Sequence, residues 1–94
     1  MKREDVLRAI IAKNGEAHQL TVVVEELAEL TKEVTKRIRN GGGNDVHICE
    51  EIADVELVLA ELKLMVPLSR THVPMYSRFK YARLKTVYID GGEK

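Results

Sequence analysis

The sequence predicts an all-α protein, an antiparallel helical bundle formed as a single domain over residues 1–94. Two observations indicate this fold class. Apolar residues recur at intervals of three and four along most of the chain, as they do on one face of an α-helix. Glycine, asparagine and proline separate these periodic stretches. A chain of 94 residues has a modest core of its own, so we expect oligomerisation to complete the bundle.

The first two predicted helices are separated by a glycine. The first is short and carries apolar residues at helical spacing, namely Val6, Leu7, Ile10 and Ile11. It should end at Asn14 and Gly15, because glycine after the last periodic residue is a common helix C-terminal signal. The second covers residues 17–39 and has one apolar stripe, formed by Val23, Leu27, Leu30, Val34 and Ile38. The glycine-rich residues 40–44 should end it.

The third predicted helix is capped by Asn44 or Asp45 and ends at Pro67. Its apolar residues are equally regular, namely Ile48, Ile52, Val55, Leu59, Leu62 and Val66. Because a short loop joins the two long helices, they should pack antiparallel. Residues 68–73 are predicted to form a loop, and Pro74 would lie in the first turn of a last helix that reaches Val87. Residues 91–94 should fray.

Composition excludes several classes of protein. The formal net charge is zero, so no nucleic-acid partner is indicated. Cys49 is the only cysteine, which excludes a disulfide framework and fits a reducing compartment. The start of the chain has no apolar core of the signal-peptide type, and charged residues interrupt the longest apolar stretch, residues 55–68. We therefore expect a cytoplasmic protein with no membrane partner.

The charges are unevenly distributed along the chain. Ten of the fifteen acidic residues fall between Glu25 and Glu61. After Leu62 the chain holds seven Lys or Arg and only two acidic residues, Asp90 and Glu93. An acidic middle followed by a basic end suits a metal site next to an anion site, although solvated helix faces produce the same pattern.

Residues 25–30 are echoed by residues 50–55. The first segment reads Glu-Glu-Leu-Ala-Glu-Leu and the second reads Glu-Glu-Ile-Ala-Asp-Val. At about 100° of turn per residue, each copy places two carboxylates on an arc beside its apolar stripe. These four residues are Glu26, Glu29, Glu51 and Asp54. Because an antiparallel pair with approximate two-fold symmetry turns both arcs to the same side, we expect the four carboxylates to converge.

A cluster of four carboxylates needs a cation or protons. Like charges about 4 Å apart repel by roughly 4 kcal/mol per pair at an effective dielectric near 20. Oxygen ligands without Cys or His favour Mg²⁺ or Mn²⁺ over zinc. A di-iron site is disfavoured, because it requires Glu-x-x-His on two helices and the steps here end at Glu29 and Asp54. The alternative is that these carboxylates are solvated surface charge.

The same residues resemble a known signature. Glu-Glu-x-x-Glu, followed about twenty residues later by Glu-x-x-Asp, is typical of the MazG-like all-α nucleoside triphosphate pyrophosphohydrolases, and the similarity covers residues 15–62. The resemblance implies that Glu26, Glu29, Glu51 and Asp54 bind Mg²⁺. It also implies hydrolysis of a nucleoside triphosphate to the monophosphate and pyrophosphate, in nucleotide-pool cleaning, by a homodimer or homotetramer.

The resemblance suggests roles for four further residues. Glu25 would lie near the metal, where it either orients the attacking water or simply faces solvent. Lys80 and Arg83 are similar to the Lys-x-x-Arg element of this family, so they would hold phosphates unless they are only exposed charges. Gln19 occupies a position that lies near the nucleobase in similar proteins, so it would contact the base. The alternative is that it is an ordinary polar residue at a helix start.

Two rival functions remain open at this stage. The related phosphoribosyl-ATP pyrophosphohydrolases share the fold and the carboxylates, and they would differ only in substrate. A non-catalytic helical interaction module would carry the same carboxylates as surface charge. The chain also lacks Trp, so no base-stacking wall is evident within one copy, and we expect a second subunit to complete the pocket.

Overall fold

A computed structural model describes residues 1–91 of the protein, and the secondary structure in that range consists of helices joined by short turns. It contains four helices, namely α1 (Arg3–Asn14), α2 (Glu16–Asn40), α3 (Asp45–Met65) and α4 (Ser69–Tyr88). The predicted all-α class is confirmed. The expected fraying of the last residues falls, except for Gly91, outside the described residues.

Glycines end the first two helices, as predicted. The N–H of Gly15 donates to the Ile11 carbonyl at 2.8 Å, and the N–H of Gly41 donates to the Arg37 carbonyl at 2.7 Å. Gly41 has φ 78° and ψ 0°, the left-handed conformation in which a Cβ is unfavourable. This residue therefore allows α2 to stop and the chain to turn back within a short loop.

Asn44 precedes α3, but its side chain does not cap that helix. Its Nδ2 instead donates to the carbonyl oxygen of Glu33 at 2.9 Å and to Glu33 Oε1 at 3.0 Å. The predicted cap position is confirmed, whereas the predicted capping hydrogen bond from Asn44 is not made. The amide is used to fasten the start of α3 to the end of α2.

The prediction for α4 was wrong at its start. The helix begins at Ser69, so residues 68–73 are mostly helical and Pro74 lies inside the helix. A turn at Pro67 starts it, with the N–H of Arg70 donating to the Pro67 carbonyl at 3.1 Å. Pro74 lacks an N–H and so removes one helical hydrogen bond. Proline is common in the first turn of a helix, but it also occurs elsewhere. Here the helix starts shortly after Pro67, and Pro74 lies inside it.

Helices α2 and α3 form an antiparallel hairpin, as predicted. Gln19, near the start of α2, hydrogen bonds to Glu61, near the end of α3. Glu33, in the second half of α2, is bonded to Asn44 at the start of α3. Helix α1 packs against both long helices and buries Leu7.

Helix α2 is rotated about its own axis relative to the prediction. We expected the stripe of α2 to form the core, yet Leu27 is 41% exposed and Ile38 is 81% exposed. The polar residues Glu33 and Glu61 are only 8% and 6% exposed. The two helices therefore contact each other through faces that include Glu33 and Glu61. The predicted apolar stripe of α2 is largely exposed to solvent.

Burial within the chain is sparse. The hydrophobic residues that are buried are Leu7, Val23, Val55 and Val58. Helix α4 contributes no buried residue and has almost no contact with the other helices. The radius of gyration is 16.9 Å, whereas a compact chain of this length would have about 12 Å. In the described part of the chain, no helix combines the length and apolar character needed to cross a membrane.

Candidate metal centre

Three carboxylates from the two long helices meet in the middle of the hairpin. Glu26 of α2, and Glu51 and Asp54 of α3, each offer one oxygen, and these oxygens all lie within 4.8 Å of one another. Glu51 and Asp54 share a face because they are three residues apart on one helix. Glu26 and Glu51 are half-buried, and Asp54 is exposed. The fold thus brings together three of the four predicted ligands.

The fourth predicted ligand, Glu29, lies at the edge of this cluster. Its side chain is exposed and is not among the three mutually close carboxylates. Its negative charge nevertheless contributes to raising the pKa of both Glu26 and Glu51. A metal-binding role for Glu29 therefore stays a prediction, with the residue close enough to influence the cluster electrostatically.

Glu26 lies in a setting that disfavours its ionised form. Burial is the largest cause that raises its pKa, and the negative charges of Asp54, Glu29 and Glu25 raise it further. A carboxylate in such a place is stabilised either by a proton or by a cation.

The ionised form of Glu51 is disfavoured for similar reasons. Its pKa is raised first by burial and then by the charge of Asp54, with smaller effects from Glu26, Glu29 and Glu33. Its Oε2 atom is buried and has no hydrogen-bond partner among the described residues. A buried acceptor without a donor is costly, and a bound cation would satisfy it. The donor set, which consists of carboxylate oxygens, fits Mg²⁺ or Mn²⁺.

Glu25, the candidate for orienting water, is exposed. It precedes Glu26 in the chain, and its charge contributes to raising the pKa of Glu26. Glu25 is therefore solvent-exposed and close enough to influence the cluster electrostatically, which is compatible with both interpretations of its role.

Gln19, the candidate for a nucleobase contact, has a structural role in this chain. It is buried, its Oε1 accepts a hydrogen bond from Asn14 Nδ2 at 3.0 Å, and its Nε2 donates to Glu61 Oε1. These bonds join the end of α1, the start of α2 and the end of α3. Contact with a base stays a prediction.

Lys80 and Arg83, the candidate phosphate-binding residues, are exposed on α4. The carboxylates lie on α2 and α3, which α4 hardly touches. The fold therefore does not by itself join the basic pair to the acidic cluster, and a phosphate-binding role stays a prediction.

A cleft of about 320 Å³ lies elsewhere, where α1 meets the junction of α3 and α4. Its lining residues are Glu4, Arg8, Lys63, Leu64, Pro67, Ser69 and Arg70. None of them is a predicted site residue, and Arg8 is already paired with Glu4 at 3.3 Å. The converging carboxylates, and not this cleft, are the stronger candidate for chemistry.

Glu33 is a residue of this region that sequence reasoning missed. It is buried, and its pKa is lowered first by the hydrogen bond from Asn44 and then by the one from Lys36, whose Nζ lies 3.1 Å from Glu33 Oε2. Glu33 continues the spacing of Glu26 and Glu29 along α2, and that spacing was the available signal. Its hydrogen bond with Asn44 joins the second half of α2 to the start of α3.

Comparison of the chain with protein-family models, with curated proteins and with solved structures finds no match. Two features of the chain indicate a function: the geometry of the carboxylates and the resemblance of their spacing to the MazG-like signature.

Proposed function

We propose that the carboxylate cluster binds Mg²⁺ and that the protein is a nucleoside triphosphate pyrophosphohydrolase of the MazG-like kind. It would convert a nucleoside triphosphate to the monophosphate and pyrophosphate, as a cytoplasmic homodimer or homotetramer engaged in nucleotide-pool cleaning. The observation that carries this proposal is the convergence of Glu26, Glu51 and Asp54 within 4.8 Å, with a buried and unpartnered oxygen on Glu51.

The chain's own residues would divide the work. Glu26, Glu51 and Asp54 would hold the metal, and Glu29 would complete or support that set. When bound, Mg²⁺ would lower the pKa of a bound water and neutralise charge on the phosphate oxygens. Glu25, which precedes Glu26 in the chain, would accept a proton from the attacking water or orient it.

Binding of the substrate would fall to residues outside the cluster. Lys80 and Arg83 would hold phosphate oxygens by charge-assisted hydrogen bonds. Gln19 would contact the base by giving up a hydrogen bond to Asn14 or Glu61. Because α4 has almost no contact with the hairpin, the basic pair would reach the triphosphate either by movement of α4 or from a second copy. This arrangement makes an oligomer part of the proposal.

The direct test is pyrophosphate release from a panel of dNTPs and NTPs, with and without Mg²⁺. We expect Mg²⁺-dependent turnover of at least one triphosphate. Glu51→Gln and Asp54→Asn should reduce turnover by roughly two orders of magnitude or more, since each removes a carboxylate charge that would hold the metal ion.

Glu56→Gln is the matched control, because Glu56 is an exposed residue of the same helix and lies outside the cluster. It should retain full turnover. Equal activity of wild type and Glu51→Gln would refute the assignment of the cluster. Phosphoribosyl-ATP belongs in the panel, because turnover of it alone would favour the related pyrophosphohydrolases of that substrate.

A non-catalytic helical interaction module is the second candidate, and the large exposed apolar surface of α2 and α4 favours it. That candidate predicts no turnover and no effect of Mg²⁺ on the melting temperature. A rise in melting temperature with Mg²⁺ that Glu51→Gln abolishes and Glu56→Gln retains would speak against it.

A further inference from the structure

One side of α2 is uncovered along most of its length. Six exposed residues follow one another at steps of four and three, which is the spacing of a coiled-coil seam. We call them the α2 stripe: Leu20, Val24, Leu27, Thr31, Val34 and Ile38. Five of the six are large and apolar, and Val24 is 65% exposed. Apolar surface this regular is unusual on a chain that acts alone.

The α2 stripe faces away from α3. At about 100° per residue, it lies roughly 120° around the helix axis from Gln19, Glu26 and Glu33, which face α3. The corresponding arc of α3 carries two more exposed apolar residues, Ile52 and Leu59. The hairpin therefore has an apolar flank, and its carboxylates lie away from that flank.

We propose that the α2 stripe packs against the α2 stripe of a second copy, antiparallel and about a two-fold axis near residue 29. This interface rests on the proposed function in one respect, namely that the protein forms an oligomer. It does not depend on metal binding or on hydrolysis. A two-fold interface uses the same patch on both copies, so one uncovered stripe is sufficient to form it.

The charges of α2 select the antiparallel orientation. Residues 16–29 contain four acidic residues and no Lys or Arg, whereas residues 30–40 contain four basic residues and one acidic residue, Glu33. An antiparallel pair places the acidic half of each helix beside the basic half of the other. A parallel pair would place like charges together, which is unfavourable.

The spacing of the α2 stripe also specifies the register. Its residues are symmetric about position 29, so Leu20 would face the partner's Ile38 and Val24 would face the partner's Val34. Leu27 would face the partner's Thr31. Each pairing joins side chains that are exposed in a single copy, so the contact requires no rearrangement of the hairpin.

The deciding experiment uses disulfide trapping in the full chain with Cys49→Ser as background. Leu20→Cys and Ile38→Cys are introduced separately, and the two proteins are oxidised alone and as a mixture. The two positions are about 27 Å apart along one helix, so they report orientation without ambiguity. We expect a disulfide between the two different variants in the mixture and little product from either variant alone.

Homodisulfides from each variant alone would show a parallel pair and overturn the proposal. An oligomer by light scattering that gives neither product would show that another surface associates, which overturns this interface and leaves the oligomer intact. A monomer at every concentration would overturn both. Turnover measured in parallel reports on hydrolysis independently, because none of these substitutions touches the carboxylate cluster.

A charge placed on the α2 stripe gives a second readout. Ile38→Glu should raise the dimer dissociation constant roughly tenfold or more, because it replaces buried apolar surface twice in a symmetric interface. Val46→Glu is the control, since Val46 is similarly exposed but lies at the start of α3, off the stripe. An unchanged dissociation constant for Ile38→Glu would contradict the proposed register.

Discussion

Glu51 lies in a setting that disfavours an unpaired negative charge. One of its oxygens is buried without a hydrogen-bond partner among the described residues, and its pKa is raised, first by burial and then by the charge of Asp54. The folded protein therefore holds a proton on Glu51 over a pH range in which the unfolded chain has released it. As the pH rises through that range, this residue reduces the stability of the metal-free fold.

Glu51→Gln should accordingly stabilise the metal-free protein at neutral pH. Glutamine carries no charge to desolvate, and its amide can donate to the neighbouring carboxylates. Below the ordinary pKa of glutamate, we expect the variant and wild type to have the same melting temperature. At neutral pH without divalent ions, the melting temperature of the variant should be a few degrees higher. Differential scanning calorimetry across pH measures this difference.

Mg²⁺ should reverse this difference at neutral pH. It would stabilise wild type by binding to the folded state and would leave Glu51→Gln nearly unaffected. A melting-temperature difference that is constant from acid to neutral pH would contradict the assigned environment of Glu51.

At the scale of the element, α4 differs from the other helices. It has no buried residue, hardly contacts them, and contains Pro74 in its interior. A helix without an apolar contact retains only its weak intrinsic stability. In a single copy, α4 is therefore the element with the least support from tertiary packing.

Amide hydrogen exchange should show this difference directly. In dilute protein we expect the amides of α4 to exchange much faster than those around Val55 and Val58 of α3. Pro74→Ala should slow exchange in α4, because it restores a helical hydrogen bond and removes a steric conflict. Exchange in α3 should not change. Protection of α4 equal to that of α3 in dilute monomer would refute this description.

At the scale of the whole molecule, the fold buries little within one chain. Its buried hydrophobic residues are Leu7, Val23, Val55 and Val58, and no described side chain falls below 2% exposure. Small domains are already limited by how much surface they can bury. A second copy on the α2 stripe would supply the missing apolar contact and complete a helical bundle.

Stability should therefore depend on protein concentration. If folding and association are coupled, the melting temperature should rise by several degrees over a hundredfold increase in concentration. Circular dichroism at several concentrations measures this shift, and Ile38→Glu should reduce it. A melting temperature that does not change with concentration would show that one chain is stable alone.

Local sequence signals were sufficient for most of the fold and for two carboxylates of the candidate site. The bounds of α1, α2 and α3 followed from helical periodicity and from Gly15 and Gly41, because these signals act within a few residues. Glu51 and Asp54 were predicted to share a face for the same reason. The start of α4 was missed, because Pro67 and Pro74 both permit a helix start and nothing local chooses between them.

The sequence by itself determined the four-helix order, the antiparallel hairpin and the set of carboxylates on one arc of each helix. Only the tertiary structure decided how far each helix is rotated about its axis. That rotation buried Glu33 and Glu61 with their partners Asn44 and Gln19 and left the α2 stripe open. Rotation depends on which side chains of two helices fit together, and the period of one helix carries no information about that fit.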